Sequence, residues 1–350
     1  MRVRSLLAAL LVAIGMAAVG ESTETRKNLD VYFLDMVGGG STLIVTPLGE
    51  SVLIDTGSLE PEHRDADRIY AATQHAGLRQ IDYLVTTHFH SDHFGGILEL
   101  TKRIPVKTFM DKGHLPPERE RQSAIFAKLH PLYQQATGGK VRAIRVGDDI
   151  PLKTDPEGKI PPITLHCVAA EKVVEGFDGD VDAPAPCHEI RKPDTSDNGR
   201  SIALVLRYGE FDFFAGGDIT WNVEHRLACP KNIVGQVDVY QVTHHGLDAS
   251  NNPLLLRALN PTVCIAMNGP TKGIQPNTFR ALGALPELKA IYQIHYNTQY
   301  GDEGNSPLEY IANGRDAEKG EFIRVSVGPD QKSFAVSVGA EGPTRTYAVK

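Results

Sequence analysis

The chain has 350 residues, 41% hydrophobic and 23% charged, with a formal charge of −7. Length and composition suit a soluble globular protein with one large α/β domain or two small ones. The acidic balance argues against a non-specific nucleic-acid binder, which normally carries a basic face.

Residues 1–20 read as a secretory signal peptide. Arg2 and Arg4 are followed by an apolar stretch, Leu6 to Val19, and by small residues before Glu21. That stretch is too short for a comfortable membrane span, and removal of residues 1–20, with Arg2 and Arg4, takes the formal charge from −7 to −9. The expected location is therefore secreted or periplasmic, with no stable membrane span after cleavage.

In chain order, Asp30–Leu34, Thr42–Thr46 and Ser51–Ile54 read as short strands joined by Gly-rich or Pro-Leu-Gly turns. A helix is expected from Arg64 to Ala76, ending near Gly77. Tyr83–Thr86 is a strand, followed by a histidine-rich loop and a helix starting near Gly95. Val106–Met110 is another strand, followed by a polar helix over Glu118–Ala136. Residues 138–200 are rich in Pro, Gly and Asp, and only Ile163–Val168 looks like a strand. The segment is expected to be an irregular connection over the site. Ser201–Tyr208 and Phe211–Phe214 form a hairpin. The strands Val237–Val242, Val263–Met267 and Ala290–Ile294 follow, with helices over Pro253–Leu259 and Pro276–Leu282. Strands in hairpins, then strands alternating with helices, suggest two packed sheets with helices outside.

Chemistry concentrates after the strand at Tyr83. His88, His90, Asp92 and His93 fall within six positions, and Gly95-Gly96 trail them. Imidazole and carboxylate suit zinc, iron or manganese. Three more strands end in metal-capable or polar groups: Asp55-Thr56-Gly57, Gly216-Gly217-Asp218 and Thr243-His244-His245-Gly246. An Asp after a strand is usually a cap or turn residue, but four such segments in this order are hard to explain as caps.

These motifs resemble those of the metallo-β-lactamase-fold hydrolases. Within that family the chain is most similar to the hydrolase domain of the bacterial DNA-uptake competence protein and its secreted relatives. The resemblance rests on F-L-D at Asp35, S-T-L-I at Ser41–Ile44, V-L-I-D-T-G, H-x-H-x-D-H, S-I-A-L-V-L-R-Y-G, G-G-D and T-H-H-G. It implies an α/β fold, the αββα sandwich, spanning residues 28–350. It also implies one or two zinc ions, with manganese or iron as alternatives. By family pattern His88 and His90 bind one metal, Asp92, His93 and His245 the other, and Asp218 bridges. Asp55 and Asn198 would support the ligands from behind, Asp55 through hydrogen bonds. Asp92 and His244 are the groups expected to take part in the chemistry.

Two places depart from the pattern. Residues 196–201 carry Asn198 where many members place a third histidine, so the first metal position is expected to be weak or completed by water. Val37-Gly38-Gly39-Gly40 stands where competence-type members have a Gly-Gln-Gly-Asp run, so side chains toward the substrate are missing. His244 and His245 leave an extended strand and are expected to point apart, with His245 as ligand and His244 toward the substrate.

The reaction implied is hydrolysis by metal-activated hydroxide, since such sites lower the pKa of bound water from 15.7 to roughly 7. No G-x-S-x-G nucleophile elbow is present. The paired histidines favour a phosphodiester or related ester. Lactones, β-lactams and a catalytically weak binding module are the alternatives. A small-molecule or phosphodiester substrate is expected, and net charge does not favour a nucleic acid. Of the four cysteines, Cys167 and Cys264 read as buried thiols, and the Pro-flanked Cys187 and Cys229 as the favoured disulfide. His166 and His188 read as structural or surface residues. His63, His75, His114, His130 and His225 read as surface, His295 as a packing residue near the cleft rim, and Trp221 as the start of a helix beside the site.

Overall fold

Short apolar runs, buried on both faces, build two stacked sheets in the computed structural model, which describes residues 28–183, 187, 190–315 and 319–350. The expected signal segment and His188 lie outside the described residues. In the first sheet, β1 (Leu29–Phe33), β2 (Thr42–Val45) and β3 (Ser51–Ile54) form an antiparallel meander. Helix α1 (Arg64–His75) crosses over to β4 (Ile81–Thr86), parallel to β3. The histidine loop winds into two short helices, α2 (Ser91–Phe94) and α3 (Ile97–Thr101), before β5 (Val106–Asp111). The expected polar helix is split into α4 (Glu118–Arg121) and α5 (Ala124–Thr137), the second capped by Ser123, and β6 (Val141–Ala143) follows.

The second sheet opens with β7 (Ile163–Ala170) and β8 (Val173–Val174). It continues through the hairpin β9 (Ala203–Tyr208) and β10 (Phe211–Ala215), helix α6 (Trp221–Ala228) and β11 (Val239–Gln241). Then come α7 (Pro253–Leu259), β12 (Val263–Ala266), α8 (Pro276–Gly283), β13 (Ala290–His295) and β14 (Ile311–Asn313). Finally β15 (Ile323–Val327), β16 (Ser333–Val338) and β17 (Thr344–Ala348) return to the first sheet, where β15 pairs antiparallel with β1. The orders are β17-β16-β15-β1-β2-β3-β4-β5-β6 and β14-β13-β12-β11-β10-β9-β7-β8.

Phe33, Ile44, Val52 and Val85 of the first sheet pack against Leu204, Phe213 and Ile265 of the second. The Phe33 and Phe213 rings meet edge to face, 5.6 Å between centroids. Each such side chain contributes about 1.5–3 kcal/mol on full burial. Separate apolar layers lie under α1, α3 and α5 on one side and under α6, α7 and α8 on the other. This is the αββα sandwich. Among the described residues no helix is long and apolar enough to cross a membrane.

Several expectations change. Residues 138–200 are less irregular than composition suggests, because β7 is eight residues long and lies between β8 and β9. The strands after residue 310 are missing from the sequence expectation, although Ile323-Arg324-Val325-Ser326-Val327 alternates buried and half-buried positions. His225 is not a surface residue. It is fully buried in α6, where a run from Asn222 to Leu227 is covered on every side. Trp221 does open α6. Cys187 and Cys229 are disulfide-bonded with Cα atoms 6.3 Å apart, and Cys167 and Cys264 are buried free thiols.

Candidate metal centre

The site forms where β4, β10, β11 and β12 end, at one edge of the sandwich. Loops at such an edge present side chains without disturbing the sheets. Asp55, just past β3, has φ +63° and turns its carboxylate under the histidine loop. It accepts hydrogen bonds from the Thr87 backbone N–H and the Thr87 hydroxyl, both 2.7 Å, and from His93 Nδ1 at 2.7 Å. Asp197 reaches across from the second sheet and accepts from the Phe89 N–H at 2.8 Å. Buried Lys112 pairs with Asp197 at 3.1 Å and fixes that support.

His244 and His245 do not leave an extended strand. Their φ/ψ values are 53°/43° and 55°/9°, two successive left-handed residues in a tight turn. The expectation that they point apart therefore fails. The alternation of a strand is lost in this turn, and both Nε2 atoms face Asp218 Oδ2, at 3.6 and 3.4 Å. Left-handed backbone at a non-glycine residue costs of order 1–3 kcal/mol, and it persists where the surroundings over-determine it. Here the Thr243 hydroxyl donates to Glu224 Oε1 at 2.6 Å, and Asn251 Nδ2 donates to the Thr243 carbonyl at 3.1 Å. The His244 N–H donates to Gly217 O, and the Ile274 N–H to His245 O.

Partner chemistry fixes the tautomers. His93 Nδ1 faces a carboxylate and His245 Nδ1 the Met267 carbonyl at 3.0 Å, so both carry the proton on Nδ1. The Ser250 hydroxyl donates to Ile219 O and therefore accepts from His244 Nδ1 at 3.1 Å. The Nε2 lone pairs of all three rings point inward.

Five separations among Asp92 Oδ2, His93 Nε2, His245 Nε2 and Asp218 Oδ2 run from 3.2 to 3.8 Å. A tetrahedral zinc with bonds of about 2.0–2.1 Å holds its ligand atoms roughly 3.3–3.4 Å apart. Two Nε2 lone pairs 3.2 Å apart repel each other unless a proton or cation lies between them. His88 Nε2 is buried without a hydrogen-bond partner among the described residues and lies 4.0 Å from Asp218 Oδ2. The residues thus fit a metal. Two groups of ligand atoms converge, His88 with His93 and Asp218, and Asp92 with His93 and His245. His90 joins neither group, and its Nε2 lies 3.3 Å from Glu120 Oε2 of α4. Asn198 Nδ2 lies 3.1 Å from His244 Nε2.

The carboxylates and imidazoles of the cluster set one another's charge. Burial would raise Asp218, but His93, His245 and His244 hold it well below the usual carboxylate range. Burial would also raise Asp92, and His93, Lys272 and His245 reverse that. Burial keeps His88 well below the ordinary imidazole value, in its neutral ligand form, and pushes His244 down to about 4. Burial would lower His93 too, but the Asp218, Asp55 and Asp92 carboxylates hold it well above that value.

A cleft of about 410 Å³ starts at Asn198 and His244 and passes Thr220 and Trp221 to Arg191 and Lys192. The Arg191 guanidinium stacks on the Trp221 ring, 3.3 Å from its centroid. Away from the centre, His295 is fully buried, with Nε2 2.6 Å from Asp35 Oδ1, and acts as a packing residue. His166 is a partly exposed partner of Asp149 and Glu175. Sequence reading missed Glu120 and Lys272. Lys272 could have been found by the rule that marks the other loops, since it follows strand β12 in a Gly-flanked turn.

The metallo-beta-lactamase superfamily model matches residues 35–183. Competence protein ComA of Neisseria gonorrhoeae is 25% identical over 255 residues, which is 70% of this chain and 29% of that protein. The chain thus spans less than a third of the length of that relative. Among solved structures it is similar to CmlA, a diiron β-hydroxylase from Streptomyces venezuelae, at 14% identity and TM-score 0.40. That match covers 76% of this chain and 52% of the other. It is also similar to a diphosphatase of the PhnP family, at 14% identity and TM-score 0.36, covering 75% and 94%. MEM-A1, a subclass B3 metallo-β-lactamase from a soil metagenome library, matches at 14% identity and TM-score 0.33, covering 78% of each chain.

Proposed function

We propose that this chain, a metal-dependent hydrolase of the metallo-β-lactamase superfamily, cleaves a phosphodiester or a related phosphoester. The observation that carries this reading is the His244-His245 turn, which aims two imidazoles at one carboxylate and leaves His244 lining the cleft. Asp92, His93, His245 and Asp218 would hold one metal, and His88, with Asp218 shared, would begin a second position. His90 would join that position from its place beside Glu120. Zinc is the proposed ion, and manganese and iron suit the same ligands. When bound, the metal lowers the pKa of water and polarises the scissile group.

The remaining work falls to side chains. Asp55 holds His93 in its ligand tautomer. His244, with its proton on Nδ1, presents an Nε2 lone pair that accepts from Asn198 Nδ2 and would take a proton if that amide moves aside. The cleft from Asn198 to Arg191 receives the rest of the substrate, and its basic far end suits an anionic one. A secreted or periplasmic location is part of the proposal. It is supported by the apolar stretch after Arg2 and Arg4 and by the Cys187–Cys229 bond, of a kind that persists in oxidising compartments. Sequencing the exported protein should find Glu21 near its N-terminus.

The test loads the protein with zinc and compares bis(4-nitrophenyl) phosphate with a lactone and a β-lactam. The diester should turn over fastest. Preference for the lactone or the β-lactam would replace the phosphoester reading. Full metal occupancy without turnover of any of the three would favour a binding module.

A further inference from the structure

Two glycine-bearing loops meet backbone to backbone beside the metal centre. One is residues 37–40, after β1, and the other is residues 268–273, after β12. The Gly269 N–H donates to Lys272 O at 2.9 Å. A Cβ on Gly269 would lie 2.8 Å from Val37 O, and one on Gly39 would lie 2.6 Å from Asp92 O. A side chain at Gly269 would push the two loops apart, and one at Gly39 or Gly40 would strike the histidine loop at Asp92 or His93. Gly38, at φ +90°, sits under the stem of Lys272, whose Cδ would be 3.3 Å from a Cβ there. Lys272 thus rises from the junction over Gly38.

The ammonium has a defined place. Lys272 Nζ donates to Gly38 O at 2.7 Å and to Asp92 Oδ2 at 2.5 Å. That carboxylate oxygen is the one facing His93 and His245. A lysine has three donors, and the third has no protein partner among the described residues. The side chain is 38% exposed, so the ammonium borders both the centre and solvent. A cation beside a metal position is repelled by the metal charge. The repulsion is relieved when an anion lies against both. A neutral lactone carbonyl brings no charge to offset it, whereas a non-bridging phosphoryl oxygen does, as would a substrate carboxylate.

We propose that Lys272 is a specificity-determining residue that receives a non-bridging oxygen of an anionic phosphoester. The assignment rests on the phosphoester reading above. Two variants test it: Lys272→Met keeps the stem and removes the charge, and Lys272→Arg keeps the charge. Three quantities are measured on zinc-loaded protein. They are metal stoichiometry, calorimetric affinity for inorganic phosphate, and the ratio of kcat/KM for bis(4-nitrophenyl) phosphate to that for the neutral 4-nitrophenyl acetate. Lys272→Met should keep its metal, weaken phosphate binding about 10- to 100-fold and lower the substrate ratio by a similar factor. Lys272→Arg should stay within roughly threefold of the parent on both measures. Unchanged phosphate affinity and ratio in Lys272→Met overturns the assignment. Loss of metal from Lys272→Met overturns it too, and makes the lysine a support for Asp92. If the parent protein lacks diester turnover, the phosphoester reading fails, and phosphate calorimetry still decides whether Lys272 binds the anion.

Discussion

The first sheet delivers His88, His90, Asp92 and His93 from six consecutive positions after β4, while the second delivers Asp218 and the His244-His245 pair from separate loops. On the first side the spacing itself gathers His88, Asp92 and His93, while His90 turns to Glu120. The chain turns into α2 directly at Ser91, and Asp55 and Asp197 fix it from behind. On the second side no spacing rule brings Asp218 to His245. Their meeting depends on parallel pairing of β10 with β11 and on two left-handed residues held by Glu224 and Asn251. Ligands from a local motif carry their geometry with them, whereas ligands from separate loops inherit theirs from the packing around them.

Asp218 is where the two sides meet, so Asp218→Ala should have the largest effect. It removes the one carboxylate among the described residues that faces His88, His93, His244 and His245 together. Bound zinc, measured by elemental analysis, and turnover should both be lost. Full metal retention would mean that Asp92, His93 and His245 hold the metal without it.

Next comes the histidine pair. His245→Ala should lose metal and activity together. His244→Ala should keep metal and lower turnover on the order of 10²–10⁴-fold if its Nε2 moves a proton. Because both rings face Asp218, metal loss from His244→Ala is the result that would make His244 a ligand and replace the proton-transfer role.

A smaller effect is expected from the support on the first side. Asp55→Asn leaves the shape and weakens the hold on His93 Nδ1. Zinc affinity, measured by competition with a chromophoric chelator, should fall about 10- to 100-fold. An unchanged affinity would show that the local motif needs no support from β3.

The variant with the least expected effect on metal and turnover probes the clamp on the second side through pH. Burial raises the Glu224 carboxyl from 4.5 to about 7. Between those values the folded protein keeps a proton that the unfolded chain has released. Stability is therefore fully present below about pH 4.5 and declines as pH rises to about 7, by about 3 kcal/mol. Glu224→Gln should flatten that slope in denaturant midpoints measured across the interval. A parallel slope in the variant would assign the pH dependence to other buried acids.

Much of this arrangement was legible in the sequence. Periodicity gave Ser51–Ile54 and Pro253–Leu259 with their observed bounds, because short buried runs between turn residues are local signals. H-x-H-x-D-H announced a metal centre for the same reason, since its ligand types and spacing are local. The fate of each ring was not legible. His90 turns to Glu120 because α4 packs over the loop, and His225 is buried because distant chain covers α6. His244 and His245 face one carboxylate because long-range hydrogen bonds hold a backbone that their own residue type disfavours. Lys272 reaches Asp92 only because two glycine loops, far apart in the chain, are pressed together. Residue identity and local spacing decided which chemistry is present. The tertiary structure decided which atoms meet, because contact between separate loops is set by how the sheets pair and pack.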